Sequence, residues 1–231
     1  MRHAFPLLVL LALPACHGAG TTALAEPEAR TEPSVLARVT PKSPSARGHV
    51  GGDPGHAGRG TALAPRTGHE LAAFAAGCFW GVEETFRQVP GVVATAVGYT
   101  GGHTDAPTYP AVCSHTTGHA ETVLVEFDPT AVSYATLLNV FFKNHDPTTK
   151  DRQGPDVGDQ YRSEIFTFSP AQAAAAAAAK TGEEATLKRP VATRVEPIGA
   201  FWMAEDYHQQ YDEKTGNRSC PAPQGLPVQG T

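Results

Sequence analysis

Patterned hydrophobicity begins at Leu71. Leu71 to Ala76 is an apolar run ending at Gly77, the mark of a buried strand. Over Cys78 to Val89 the spacing changes. Val82, Phe86 and Val89 recur at i, i+4 and i+7, with Glu83 and Glu84 in the early turns, which predicts a helix that Pro90-Gly91 ends. Val92 to Tyr99 is rich in strand-forming residues and breaks at Gly101-Gly102, and Gly102 to Gly118 reads as a long functional loop. Glu121 to Phe127 alternates, with Val123, Val125 and Phe127 on one face and Thr122, Leu124 and Glu126 on the other, so it is a strand. Asp128-Pro129 closes it, and Ser133 caps a helix from about Tyr134 to Lys143 whose apolar side carries Leu137, Leu138, Phe141 and Phe142. A second loop, His145 to Gln160, leads to a strand at about Arg162 to Phe168. Ser169-Pro170 starts a helix that the alanine run carries to Lys180, and Val191 to Val195 reads as a last strand. Beyond Glu205 the pattern is irregular. Strand–helix–strand, twice over, predicts an α+β fold: a two-layer ferredoxin-like (split βαβ) sandwich with an extra helix and an irregular C-terminal tail.

Nothing comparable precedes residue 70. Arg2 followed by the apolar stretch Phe5 to Leu13, too short to span a bilayer as a helix, reads as an export signal over residues 1–25. Its end, Leu13-Pro14-Ala15-Cys16, resembles a bacterial lipobox, which makes Cys16 a lipidation candidate. Ala23-Leu24-Ala25 offers ordinary signal cleavage instead, and the mass of the mature N-terminus separates the two. Residues 26–69 are rich in Pro, Gly, Ala, Ser and Arg without periodicity and bury too little to offset chain ordering, so a disordered linker is expected. His49, His56 and His69 belong to that tether. Residues 70–231 then form one domain, at an exported location: periplasmic, or membrane-anchored as a bacterial lipoprotein.

Composition narrows the function. A net charge of −5 over 231 residues leaves no basic footprint for nucleic acid. The four cysteines, Cys16, Cys78, Cys113 and Cys220, form no CxxC pair, so neither a zinc ribbon nor a thioredoxin-type motif is indicated.

Chemistry gathers at Gly77-Cys78-Phe79-Trp80-Gly81. A strand-to-helix turn places Cys78 at a helix N-terminus, where unpaired N–H groups and the helix dipole should lower its pKa below the free value of about 8.5. A reactive thiol beside two aromatic rings suits an apolar, polarizable group such as a methyl thioether or sulfoxide. A small buried hydrophobe at a strand end fits the residue alone equally well. Neighbouring motifs decide between these readings.

Four blocks in register carry a resemblance from about Leu71 to Cys220: Gly77-Cys78-Phe79-Trp80-Gly81-Val82-Glu83; Pro107-Thr108-Tyr109-x-x-Val112-Cys113 with Thr117-Gly118-His119-Ala120-Glu121; His145-Asp146-Pro147-Thr148-Thr149 with Gln153-Gly154-x-Asp156-x-Gly158-x-Gln160-Tyr161-Arg162-Ser163; and Ala204-Glu205-Asp206-Tyr207-His208-Gln209. Together they resemble the peptide methionine sulfoxide reductase A family, making residues 70–231 a methionine sulfoxide reductase domain. The resemblance implies that Cys78 attacks the sulfoxide sulfur and that Glu121, a carboxyl in an apolar pocket, supplies the proton to the departing oxygen. Tyr109 and Tyr161 match tyrosines that hydrogen-bond that oxygen, and Asp156 a polar residue lining the same place. Phe79, Trp80 and Tyr211 would cage the substrate methyl. The sulfenic acid left on Cys78 needs a second thiol, and Cys220 matches the family's resolving cysteine. No further cysteine follows it, so thioredoxin or an equivalent should reduce the Cys78–Cys220 disulfide directly. The resemblance also implies the S epimer, oxidised proteins or peptides as substrate, no bound cofactor or metal, and no nucleic-acid partner. A monomer is expected, with membrane contact only through a lipid on Cys16. Cys113 is read as structural.

His115 stands where the family commonly has glycine, and Pro110 and Asp159 are uncommon there. Two rivals are distinguishable: a metal-binding lipoprotein using Cys113, His115 and His119, and a thiol peroxidase or redox sensor built on a low-pKa cysteine.

Overall fold

A computed structural model describes residues 65–216; Cys16, Cys220, the export signal and nearly all of the expected linker lie outside them. The chain forms a six-stranded sheet with helices packed on one face. In order it runs β1 (Glu70–Ala76), α1 (Phe79–Arg87), β2 (Val92–Thr100), α2 (Tyr109–Cys113), β3 (Ala120–Phe127), α3 (Tyr134–Lys143), β4 (Arg152–Gln153), β5 (Asp156–Val157), a 3-10 turn (Asp159–Tyr161), β6 (Ser163–Thr167), α4 (Pro170–Leu187), β7 (Arg194–Pro197), β8 (Trp202–Met203) and α5 (Tyr211–Thr215). The sheet order is β7-β6-β1-β3-β2-β8, antiparallel except for the β6–β7 pair, while β4 and β5 form a separate hairpin. This is an α+β architecture around a central sheet.

Both faces of the central strands are covered. Even-numbered β1 residues Ala72, Phe74 and Ala76 face the helices with Val123, Val125 and Phe127 of β3, and Phe74 stacks on Phe86 of α1 at 4.7 Å and lies 5.5 Å from Phe141 of α3. Leu71, Ala73, Ala75 and Leu124 turn to the other face, where Phe166, Ile198, Phe201 and Met203 cover them. The stretch after β7 thus returns across the back of the sheet. Gly98 makes that possible, since a Cβ there would fall 2.3 Å from the Trp202 carbonyl and 2.5 Å from the Phe201 ring. An unbroken apolar β1 follows directly from burial on two faces.

Helix starts follow the sequence chemistry. Ser133 Oγ accepts Thr136 N–H and Ser169 Oγ accepts Gln172 N–H, each satisfying a first-turn donor. Other elements correct the expected layout. The last long helix continues past Lys180 to Leu187, because Glu183, Glu184 and Ala185 favour helix enough to carry the chain through Gly182 and let Leu187 reach the core. The final parallel strand lies at Arg194–Pro197, not Val191 to Val195, because the N–H groups of Val191 and Ala192 go to Glu184 and to the Pro147 carbonyl. The expected loops hold α2 and the β4–β5 hairpin, and the expected irregular tail begins with α5. Residues 65–69, expected as linker, are tied to β3: Arg66 N–H donates to Glu126 and His69 Nδ1 lies 2.8 Å from the same carboxylate oxygen.

One buried polar chain has a measurable consequence. His145 Nδ1–H donates to the Phe141 carbonyl at 2.8 Å, leaving Nε2 to accept from Ser163 Oγ at 2.7 Å, with Thr193 Oγ1 2.7 Å beyond. Burial lowers the His145 pKa to about 4 against an unfolded value near 6.5, so the folded state resists a proton that the unfolded chain takes up. The stability held by neutral His145 is therefore complete above pH 6.5 and lost as pH falls through about 4. Urea unfolding should show His145→Gln losing about 3 kcal/mol less than wild type between pH 6.5 and 4; identical pH slopes would remove His145 from this role.

Candidate active site

Cys78 occupies the turn between β1 and α1. Gly77 takes φ of +100° there, and a Cβ on it would strike Gln153 at 2.7 Å. Gln153 is itself clamped, accepting Asp146 N–H at 3.1 Å and donating Nε2–H to the Asp146 carbonyl at 3.1 Å. Glycine at position 77 thus serves two ends: it turns the chain into the helix and lets the β4–β5 hairpin, with Asp156, close over the thiol's turn. Cys78 is the N-cap of α1, partly exposed and not in a disulfide. Its side chain makes no capping bond, and the first-turn N–H groups face the region where an anion is favoured.

One of those donors is taken by the predicted acid. Glu121, on β3 opposite Tyr99 and only 2% exposed, accepts the Phe79 N–H through Oε2 at 3.1 Å. The carboxyl therefore sits against the first peptide after the thiol. Sequence spacing could not foresee this contact, since the two residues are 42 apart.

Both tyrosines come to the same place on different elements. Tyr109 opens α2, where Pro110 in the first turn presets the backbone, and Glu205 Oε1 fixes the Tyr109 N–H at 2.9 Å. Tyr161 ends the 3-10 turn, its N–H bonded to the Gly158 carbonyl at 3.1 Å. Burial pushes both hydroxyls well above the ordinary tyrosine range. Tyr109 also hydrogen-bonds Cys113, and Glu121 adds to both shifts. The charges of Asp156, Cys113 and Cys78 also act on Tyr161, so these groups share one electrostatic neighbourhood. Both phenols remain protonated and can donate to an oxygen.

Around the thiol, Trp80 and Tyr211 stack at 3.9 Å and 11°, both partly exposed. Phe79 lies beneath, 1% exposed, between Tyr99 at 5.9 Å and His208 at 5.1 Å. Cys113 borders the site at the end of α2, and burial pushes its thiol up, away from thiolate. His115 and His119 turn to different partners. His115 Nδ1 meets Gln160 at 2.8 Å, whereas His119 takes Gly102 N–H and lies 2.7 Å from the Thr104 carbonyl. Among the described residues no cluster of three or more His, Cys, Asp or Glu is placed to hold a metal ion.

Sequence reasoning assigned no role to Glu205, His208, Gln209 or Gln210. The signal for the first three was the block Ala204 to Gln209, which carries the family resemblance, and Gln210 follows directly after it. Gln209 pairs with β2 through its side chain, accepting Val97 N–H and donating to the Val97 carbonyl, both at 2.8 Å. Gln210 delivers its backbone N–H and its Nε2–H to buried Glu83 of α1, at 2.7 and 3.0 Å. Burial raises the Glu83 pKa, and Thr95 Oγ1 donates to its Oε1 as well. Arg87 of α1 pairs with Glu213 of α5.

A thiol facing a carboxyl and two protonated phenols can take an oxygen from its substrate while that oxygen is hydrogen-bonded and protonated. That chemistry is the work of a thiol-dependent reductase. A family model described as "Peptide methionine sulfoxide reductase" matches residues 70–228, and the chain belongs to that family. It is 64% identical over 154 residues to the peptide methionine sulfoxide reductase MsrA of Methanosarcina mazei, covering 66% of this chain and 73% of that one. Against the MsrA of Methanoculleus marisnigri it is 56% identical over 160 residues, covering 68% and 98%. Among solved structures, methionine sulfoxide reductase A of Corynebacterium diphtheriae gives a TM-score of 0.66 at 35% identity, over 82% of this chain and 95% of that one. Reduced Mxr1 of Saccharomyces cerevisiae gives 0.63 at 36%, over 71% and 91%. The chain is an oxidoreductase that reduces methionine sulfoxide in peptides to methionine at the expense of thiols.

Proposed function

We propose that Cys78 is the nucleophile of this reduction and Glu121 its general acid, and the contact of Glu121 with the Phe79 N–H carries the reading. The Cys78 thiolate attacks the sulfoxide sulfur as protonated Glu121 donates to the oxygen, which Tyr109 and Tyr161 hold by their O–H groups. Attack joins the Cys78 sulfur to the substrate sulfur. The protonated oxygen then bonds to the Cys78 sulfur as the sulfur–sulfur bond and the original sulfur–oxygen bond break, so methionine leaves as the thioether and Cys78 is left as a sulfenic acid. Asp156 lines the same place, and its charge helps keep the Tyr161 hydroxyl protonated. Trp80, Tyr211 and the buried Phe79 form the apolar side of the site, where the substrate methyl rests. The S epimer is the substrate that membership of the family implies.

Cys220 then attacks the sulfenic acid, water leaves, and a Cys78–Cys220 disulfide forms. A thioredoxin-type dithiol reduces it and is itself oxidised to a disulfide. With a peptide carrying one methionine sulfoxide, Cys220→Ser should release one methionine per enzyme and then stop when thioredoxin is the reductant; steady thioredoxin-driven turnover by that variant would overturn the assignment. The same reading places the enzyme outside the cytoplasm, behind the export signal with its lipidation candidate Cys16. The strand order β6-β1-β3-β2, with α1 and α3 as crossovers on one face, supports a split βαβ, ferredoxin-like core.

A further inference from the structure

His208 is a buried group that this mechanism does not use. It is 1% exposed and lies among the rings of the site: Tyr207 at 4.0 Å, Tyr109 at 4.4 Å, Phe79 at 5.1 Å and Trp80 at 5.5 Å. Its backbone has little freedom. Gln209 is locked to Val97 and Gln210 to Glu83, and the His208 N–H closes a turn on the Glu205 carbonyl at 2.9 Å. Among the described residues the side chain makes one direct hydrogen bond, from the Trp80 indole Nε1–H to Nδ1 at 2.9 Å. An indole N–H is a donor only, so Nδ1 must be the unprotonated nitrogen. The proton of the neutral ring then sits on Nε2, which is buried without a hydrogen-bond partner among the described residues, 4.0 Å from Glu205 Oε2. Burial lowers the His208 pKa to about 4, against the pull of Glu205, so the ring is neutral at neutral pH and Nδ1 stays open to the indole.

Glu205 is engaged in turn, taking Tyr109 N–H on Oε1 and Tyr99 O–H on Oε2, each at 2.9 Å. One side of His208 thus touches the aromatic wall and the other the residue that anchors the oxygen-holding tyrosine. We infer that His208 is a positioning residue for the substrate methyl group: its Nδ1 fixes the Trp80 indole in the plane in which it stacks on Tyr211. The inference rests on the reading of Trp80 as part of the methyl cage. Without the acceptor, the partly buried indole N–H would lose its partner and the ring would turn toward water, opening the wall. Binding would suffer, while the chemistry at Cys78 and Glu121 would not.

His208→Phe keeps a ring and removes the acceptor, whereas His208→Asn puts an amide oxygen at the branch occupied by Nδ1. With the full-length protein and a peptide carrying one methionine S-sulfoxide, His208→Phe should raise KM about tenfold, the scale of a buried donor losing its partner, with the single-turnover rate at saturation held. His208→Asn should restore KM to within about threefold, since a neutral amide acceptor replaces most of one hydrogen bond. Equal impairment of both variants would reduce His208 to packing and overturn the inference, as would an unchanged KM in folded His208→Phe. Should the variants fail to fold, nitrogen-15 NMR of the wild-type ring decides: protonation of Nε2 is required, and protonation of Nδ1 overturns it. Trp80→Leu is the control for the cage itself. If its KM is unchanged, the cage reading fails; if its KM rises while that of His208→Phe does not, only the present inference fails.

Discussion

Cys78→Ser should leave no measurable methionine sulfoxide reduction, a fall in kcat of at least about 10⁴-fold, the scale expected when a covalent nucleophile is removed. A serine hydroxyl holds its proton at neutral pH, and the N-terminus of α1 cannot polarise it enough to attack sulfur. The structure also predicts that the loss is chemical. Cys78 makes no capping bond from its side chain, is partly exposed, and exchanges one atom for a smaller one, so the thermal midpoint should stay where it was. Single-turnover release of methionine from a sulfoxide peptide, read beside a melting curve, checks both halves. A folded serine variant that still yields methionine would move the nucleophile elsewhere, and Cys113, bonded by Tyr109 at the site's edge, would be the first to test.

The second large effect belongs to Glu121. In Glu121→Gln the amide oxygen can still accept the Phe79 N–H, so α1 and the thiol keep their places, but no acidic proton is available to the leaving oxygen. A fall in kcat of about 10² to 10⁴-fold, with KM little moved, is the expected range for a lost general acid. The pH profile gives a sharper test than the magnitude. Wild-type kcat should fall on the alkaline side as the acid deprotonates, and the glutamine variant should lack that fall. A variant that is slow but keeps the wild-type profile would show that Glu121 shapes the site and that another group donates the proton. Tyr109 and Tyr161, both kept protonated by burial, are the alternatives within reach of the same oxygen.

Much of this was legible in the chain. Period-two alternation placed β3, the four-residue spacing of Val82 and Phe86 placed α1, and Ser133 and Ser169 announced their helices, because each of these signals is local. The motif blocks likewise named Cys78, Glu121, Tyr109 and Tyr161, which the fold brings to one place. What could not be read is of two kinds. β4, β5 and β8 have two residues each, too few to show a period, and the five residues of α2 include Pro110, which looks like loop chemistry until it proves to sit in the first turn of a helix. The rest depends on contacts between distant parts of the chain. Trp80 and His208 are 128 residues apart, and Glu83 and Gln210 are 127 apart. Glu83 stands in the early turns of a helical pattern, and nothing local to it shows that Gln210 covers it. Position 115 remains a departure from the family's glycine: His115 stands at φ of +60° with its ring on Gln160, so there the side chain joins the loop after α2 to the turn that carries Tyr161.

The stack of Trp80 on Tyr211 has a further consequence, in polymer terms. In the unfolded chain a bond between Cys78 and Cys220 would close a loop of roughly 140 residues. In the folded protein the same partners are linked by a far shorter path. Tyr211 is pinned beside Trp80, two residues from the nucleophile, and Cys220 follows only nine positions later. Cutting the effective loop to roughly ten residues lowers the entropic cost of closure by about 2 kcal/mol. On the proposed pairing, the aromatic wall that receives the substrate also sets the tether length for the second thiol, raising its local concentration before the sulfenic acid can oxidise further.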